Sequence, residues 1–227
     1  MPRLKGIKLL DGLPPAALER IAARCLWSEH KAGGTLIQQA DQSNDVYFLT
    51  AGRAKAVIYS SNGKAVAFRD IAAGDTFGEL AALDGAPRSA SIEAIEDCTL
   101  AALAATDFWN ALDAEPEMRR RLFRQLVANI RSLSDRVYEF STFAVANRIQ
   151  AELLRLSRGG ENADGSAIVA PHPKHADIAE RISTHREAVA REFSRLRELG
   201  LIDRQGDVLV IKDTARLARM VAEATGE

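Results

Sequence analysis

The stretch HADIAERISTHREAVAREFSRLRELGLIDRQGDVLVI, residues 175–211, decides the fold of the C-terminal third. It reads as a helix, a tight turn, a second helix, and then a small hairpin turning at Gln205-Gly206-Asp207. That order predicts a winged helix-turn-helix. In the second helix Arg186, Glu187 and Arg191 are spaced to reach successive base edges from a major groove, where arginine pairs with guanine and a carboxylate accepts from cytosine.

Plainer readings stand beside this one. Thr184-x-x-Glu187 is also a capping box, and Glu187 with Arg191 is an ordinary i,i+4 surface pair. From Asn147 onward the chain carries 13 Lys/Arg and 13 Asp/Glu, so this segment is not basic overall. DNA contact must then rest on local placement. Lys174, His175, Arg195 and Arg197 are expected near phosphates, with help from helix N-termini.

Upstream, RIQAELLRLSR (148–158) predicts an amphipathic helix closed by Gly159-Gly160, followed by the polar loop ENADGSA (161–167). Before it, Phe123, Ile130, Val137 and Ala144 recur every seven residues. Leu126, Leu133 and Phe140 form a second series displaced by three. These are a and d positions of a heptad seam, with charged flanks that include Arg136 and Glu139. The seam predicts a long dimerisation helix, and Phe123, Leu126, Ile130, Leu133, Val137 and Phe140 are its expected interface.

Between Gly33 and about Leu103 the pattern shifts to short runs: TLIQQA, DVYFLTAG, RAKAVIYS, AVAFRDI, SIEAIE and CTLAAL. Turn signals at near-regular intervals separate them, which predicts an antiparallel barrel or roll. SNGK (61–64) is the hairpin signal, and PPAALERIAARC (14–25) reads as a short helix.

Within the roll, FGELAALDGAPRSAS (77–91) strands one acid, Glu79, and one base, Arg88, in small apolar surroundings. Such charges need partners. The segment GEL…PRSAS (Gly78–Leu80, Pro87–Ser91) resembles the phosphate-binding cassette of the cyclic AMP receptor protein branch of the Crp–Fnr family of bacterial transcription regulators. THREAVAREFSRLRELGLI resembles the same family's recognition helix, and the likeness covers essentially the whole chain.

The resemblance implies an α+β protein: a cyclic-nucleotide-binding β-roll (1–115), a dimerisation helix and hinge (116–144), and a winged helix-turn-helix DNA-binding domain (145–227). It implies that Arg88 and Ser89 take the phosphate, with backbone groups of Gly78, Glu79, Leu80 and Ala90 completing an anion cradle. Glu79 would accept from the ribose 2′-OH, its charge balanced by Arg88. The base-contacting positions correspond to Leu133 and Ser134. Leu133 has no hydroxyl, so the effector is cyclic AMP or cyclic GMP, and a nucleotide-independent regulator of the same build is the alternative. Further implications are DNA contacts by Lys174, His175, His185, Arg186, Glu187 and Arg191, palindromic TGTGA-like half-sites, a homodimer, and contact with RNA polymerase. The loop 162–170 corresponds to the family's activating loop. Binding is expected to favour one arrangement of a hinge near Thr142–Ala144.

Inventory excludes other chemistry. Two cysteines, Cys25 and Cys98, cannot supply a four-thiolate iron–sulfur cluster. Of four histidines only His30 falls in the roll, so neither haem, nor a cupin-like metal site, nor a Ser–His–Asp triad is expected. The 227-residue chain has net charge −1 and 47% hydrophobic residues, without a signal-peptide pattern or a membrane-length apolar run. A cytoplasmic protein that is not an enzyme, needs no metal and has no membrane partner is the expectation.

Overall fold

A computed structural model describes residues 4–60 and 65–223. The chain separates into two compact units, Met1–Ile130 and Arg131–Glu227. The mixed α+β class is as expected.

In the first unit a single 3₁₀ turn (Lys8–Leu10) precedes α1 (Pro15–Arg24), whose first residue is a proline that tolerates the missing N–H of a helix start. Eight strands follow: β1 (Leu26–His30), β2 (Thr35–Ile37), β3 (Val46–Ala51), β4 (Arg53–Tyr59), β5 (Ala65–Ala72), β6 (Thr76–Phe77), β7 (Ser91–Ala94) and β8 (Cys98–Leu103). The helix α2 (Glu79–Asp84) interrupts them after β6. They form two antiparallel sheets, ordered β1-β8-β3-β6 and β2-β7-β4-β5. This is the roll that the strand spacing predicts. The strands β4 and β5 pair from Arg53↔Ala72 to Tyr59↔Ala65. The SNGK hairpin expected to join them lies outside the described residues.

Alternation fills the space between the sheets. Leu49, Ala54, Ala56, Ile71, Phe77, Ile92 and Leu100 are buried together there. A second cluster packs α1 and α3 (Ala105–Ala114) against the other face, with Phe48, Leu103, Phe108, Met118 and Leu122 at its centre. Cys25 and Cys98 are buried free thiols. Burial, with Asp107 nearby, pushes the Cys25 thiol up to about 12.

The long helix α4 runs from Pro116 to Thr142, and its chain passes from the first unit into the second. Along it the expected seam residues Phe123, Ile130, Leu133 and Val137 are exposed. Two expected seam residues differ. Leu126 packs against its own unit's core, and Val127 is exposed in its stead. Phe140 is half-buried, with the guanidinium groups of Arg148 and Arg136 lying 5.2 and 5.8 Å from its ring.

The second unit continues with α5 (Val145–Leu156), β9 (Ala167–Val169), α6 (His175–Arg181), α7 (Arg186–Glu198), β10 (Ile202–Gln205), β11 (Val208–Ile211) and α8 (Thr214–Glu223). Its core joins Ile149 and Leu153 of α5, Ile178 of α6, and Val189, Phe193 and Leu196 of α7. The sheet order is β10-β11-β9. So the loop after α5 is not wholly irregular, since β9 pairs with β11 through Val169↔Leu209. No described helix is long and apolar enough to cross a membrane.

Candidate functional site

The segment around Glu79 is set by local geometry. Strand β6 pairs with β3 at Tyr47↔Phe77, and the two rings stack with centroids 5.3 Å apart. Gly78 then adopts φ +81 and turns the chain from strand into α2. A Cβ there would stand 2.8 Å from Arg88 Nη1 and 2.9 Å from the Asp45 carbonyl oxygen. Only glycine fits that close approach.

Arg88 reaches the same place from the loop after α2. Its backbone is fixed by Arg88 N–H to Asp41 O (2.8 Å) and Ala40 N–H to Arg88 O (2.9 Å). Its guanidinium donates through Nη1 to Gly78 O (2.9 Å), Nη2 to Asp45 O (2.8 Å) and Nε to Ser43 Oγ (3.1 Å). The group is 4% exposed and sits 5.7 Å from the Tyr47 ring centroid. Three of the five N–H donors in the fork are committed in this way.

Glu79 begins α2 and is 3% exposed. Burial pushes its carboxyl above the usual range, opposed first by Arg69, then by a backbone hydrogen bond and Arg88. Arg88 thus offsets the Glu79 charge as expected, but it is not the first group to do so. The ion-pair partner of Glu79 is Arg69, at 3.9 Å, while Arg88 is held by oxygens of the chain. Sequence reading passed over Arg69. Its signal was phase: on β5 it lies two residues before buried Ile71 and shares that residue's face. Of the other cassette residues, Leu80 and Ser89 are exposed and Ala90 is buried.

The second unit brings together the other candidates. The turn between α6 and α7 places Ser183 at φ +54, and Thr184 N–H donates to Ala179 O at 2.9 Å. The helix α7 starts at Arg186 with His185 as its N-cap, and no side chain caps it. The Thr184–Glu187 capping box therefore does not form, because the helix begins two residues after Thr184. Arg186, Glu187 and Arg191 are exposed, and none makes a side-chain hydrogen bond or ion pair among the described residues.

Lys174 is exposed at the start of α6. His175, expected near phosphates, meets Phe193 edge-on at 4.7 Å and borders a cavity of about 110 Å³ with His172 and Arg204. Burial, followed by His172 and Arg186, holds its imidazole below the usual value. Arg195 and Arg197 are likewise engaged, Arg195 with Glu192 (3.0 Å) and Arg197 with Phe193 O (3.2 Å).

At the expected hinge the helix is interrupted: α4 ends at Thr142 and α5 starts at Val145. Side chains nevertheless span it. Arg155 donates to both oxygens of Glu139 (2.6 and 2.8 Å), and Arg136 lies 3.7 Å from Glu152. Arg136 also donates to the Arg181 carbonyl, and Arg155 and Arg181 both approach Glu152. The buried Glu192 carboxylate accepts from Gln150 (2.7 Å).

Comparison with known proteins matches both halves. The family "Cyclic nucleotide-binding domain" matches residues 27–115, and the family "Crp-like helix-turn-helix domain" matches residues 147–220. The chain is 22% identical over 212 residues to the CRP-like cAMP-activated global transcriptional regulator of Mycobacterium tuberculosis, covering 93% of this chain and 95% of that protein. It is 26% identical over 201 residues to the cAMP-activated global transcriptional regulator CRP of Pasteurella multocida, covering 87% and 95%. In fold it is similar to the solved structure of FixK2 from Bradyrhizobium japonicum, with TM-score 0.75, 19% identity, and coverage of 86% and 96%.

Proposed function

Because the chain belongs to the Crp–Fnr family of transcription regulators, and is a DNA-binding regulator with a cyclic nucleotide-binding domain rather than an enzyme, we propose that it is a cytoplasmic homodimer whose grip on palindromic DNA is set by cyclic AMP or cyclic GMP. The observation that carries this reading is the seating of Glu79 and Arg88. Both charges are buried around Gly78, and no ion pair joins them among the described residues. A cyclic nucleotide supplies what each lacks, an anionic phosphodiester for the remaining donors of Arg88 and a ribose hydroxyl for Glu79. Ser89, exposed beside Arg88, adds a hydroxyl donor, and backbone groups of Gly78, Leu80 and Ala90 line the same turn.

Of the two base-contacting positions that the family resemblance implies, Ser134 carries a hydroxyl and Leu133 does not. A site rejects the wrong base chiefly through polar groups left unpaired, so neither purine is strictly selected. The exposed stripe Phe123, Val127, Ile130, Leu133 and Val137 on α4 supports dimerisation through a coiled-coil contact. On α7 the uncommitted Arg186, Glu187 and Arg191 support direct reading of TGTGA-like half-sites, with Lys174 and His185 beside them toward the backbone. Contact with RNA polymerase follows from the resemblance alone.

The test is titration of purified protein with cyclic AMP and with cyclic GMP while binding to a palindromic duplex is followed. Affinity for the duplex should rise with one or both. A second reading, a regulator of the same build that ignores nucleotides, is favoured by the three chain oxygens already bonded to Arg88. Equal grip on DNA with and without either nucleotide would establish it instead.

A further inference from the structure

Arg69 stands apart from the residues that the phosphate cassette accounts for. It projects from the middle of β5 on the face shared with Ile71, and 26% of its side chain is exposed. Nη2 donates to Thr76 O at 3.1 Å, which ties the guanidinium to the strand leading into Gly78. Nη1 lies 3.9 Å from Glu79 Oε1. Arg88, the other cation here, is turned onto the carbonyls of Gly78 and Asp45. The hydroxyl Oγ1 of Thr76 beside them is buried without a hydrogen-bond partner among the described residues.

Charge completes the argument. Glu79 contributes one negative charge, and Arg69 and Arg88 one positive charge each. The pocket thus carries one positive charge in excess, the complement of a single phosphodiester. With Glu79 and Arg88 alone the same ligand would leave a buried net negative charge, which a low-dielectric site disfavours. An ionised carboxylate is also acceptor-only, whereas a protonated one donates, so its state decides what the sugar must offer.

Resting on the nucleotide reading above, we propose that Arg69 is a specificity-determining residue of the site: it fixes Glu79 as an acceptor, so that the roll admits a monoanionic cyclic nucleotide bearing a free ribose hydroxyl and discriminates against one lacking it. Arg69 acts through Glu79 and is therefore a positioning residue. The groups facing the Glu79 carboxylate are Arg69 from β5, Arg88 from the loop before β7, and the backbone of α2.

The experiment measures calorimetric binding of cyclic AMP, cyclic GMP and their 2′-deoxy forms to the full chain and to Arg69→Gln and Arg69→Lys. In parallel the Glu79 carboxyl is titrated by ¹³C NMR without ligand, assigned with Glu79→Gln. The unaltered chain should prefer the ribose form about 10–100-fold, as for one hydrogen bond to a charged acceptor. Arg69→Gln should shrink that preference about tenfold and move the Glu79 titration to higher pH, while Arg69→Lys keeps most of both. An undiminished ribose preference in Arg69→Gln, or a Glu79 titration that does not move, overturns the role of Arg69 while leaving the nucleotide reading intact. If the unaltered chain binds none of the four ligands, the nucleotide reading and this inference fall together. If Arg69→Gln does not fold, Arg69→Lys decides by the size of its ribose preference.

Discussion

Arg136 and Glu152 approach to 3.7 Å with 7% and 1% of their side chains in contact with solvent. The pair joins the last turns of α4 to α5 across the break between them. Arg136 has its pKa lowered by burial first, with Glu152 opposing that shift. Buried ion pairs of this kind are weak net stabilisers when whole, yet removing one partner leaves an uncompensated charge.

Glu152→Gln should therefore destabilise the second unit by about 3–5 kcal/mol. In that background Arg136→Met should cost less than it does alone, because one of the three cations that lose Glu152 is then gone. The shift in denaturation midpoint followed by circular dichroism, across the four members of the cycle, checks this. Additive effects would mean that the two side chains are not coupled.

Gly78→Ala places a methyl group against the Arg88 guanidinium and the Asp45 carbonyl, and forces alanine into left-handed backbone at about 1–2 kcal/mol. Cyclic-nucleotide affinity should fall by roughly tenfold or more, equivalent to about 1.4 kcal/mol. The helix α7 is untouched. Calorimetry of the variant tests it, and unchanged affinity would show that the seat of Arg88 is not part of the pocket.

The raised pKa of Glu79 has a definite sign in stability. A carboxyl titrating higher in the folded chain than in the unfolded one binds more protons when folded. Its contribution is fully present below the ordinary carboxylate range and is lost as pH rises through the elevated folded value. Glu79→Gln should then stabilise the ligand-free protein at neutral pH, with a smaller gain near pH 4, and weaken binding of a ribose nucleotide. Thermal unfolding across that pH range is the measurement, and a gain independent of pH would contradict it.

With the capping box unformed, Glu187 is free for a base edge. Glu187→Ala should relax specificity at one base position in each half-site, by roughly 1–3 kcal/mol of discrimination. Binding to a set of singly substituted duplexes distinguishes this from a uniform loss on all sequences, which would assign Glu187 to helix stability.

Much of this architecture was legible in the chain because it obeys short periods. The heptads of α4, the alternation of β3, β4 and β8, and the helix-turn-helix order needed no tertiary information. What escaped lacks such a period. Leu26–His30 alternates poorly because β1 is a sheet edge with mostly exposed side chains, and β6 is two residues long. In the candidate site Glu79 and Arg88 were visible as stranded charges, but their partners were not. Arg69 is ten residues from Glu79, and the carbonyls that hold Arg88 belong to Asp45 and Gly78, whose role is backbone and leaves no side-chain signature. Arg136 and Glu139 read as flanking surface charge on a seam, and only the packing of α5 against them buries Arg136 and part of Glu139. Leu126 likewise kept its heptad phase while its own unit's core claimed it.

A guanidinium clasped by two main-chain carbonyls and the Ser43 hydroxyl has little rotameric freedom left to surrender. On the nucleotide reading proposed above, an arriving anion would meet a fork already fixed in place, and its association would forfeit little side-chain entropy. The sensitivity of that encounter then lies in the peptide planes at Asp45 and Gly78, where no change of side-chain charge would reveal it.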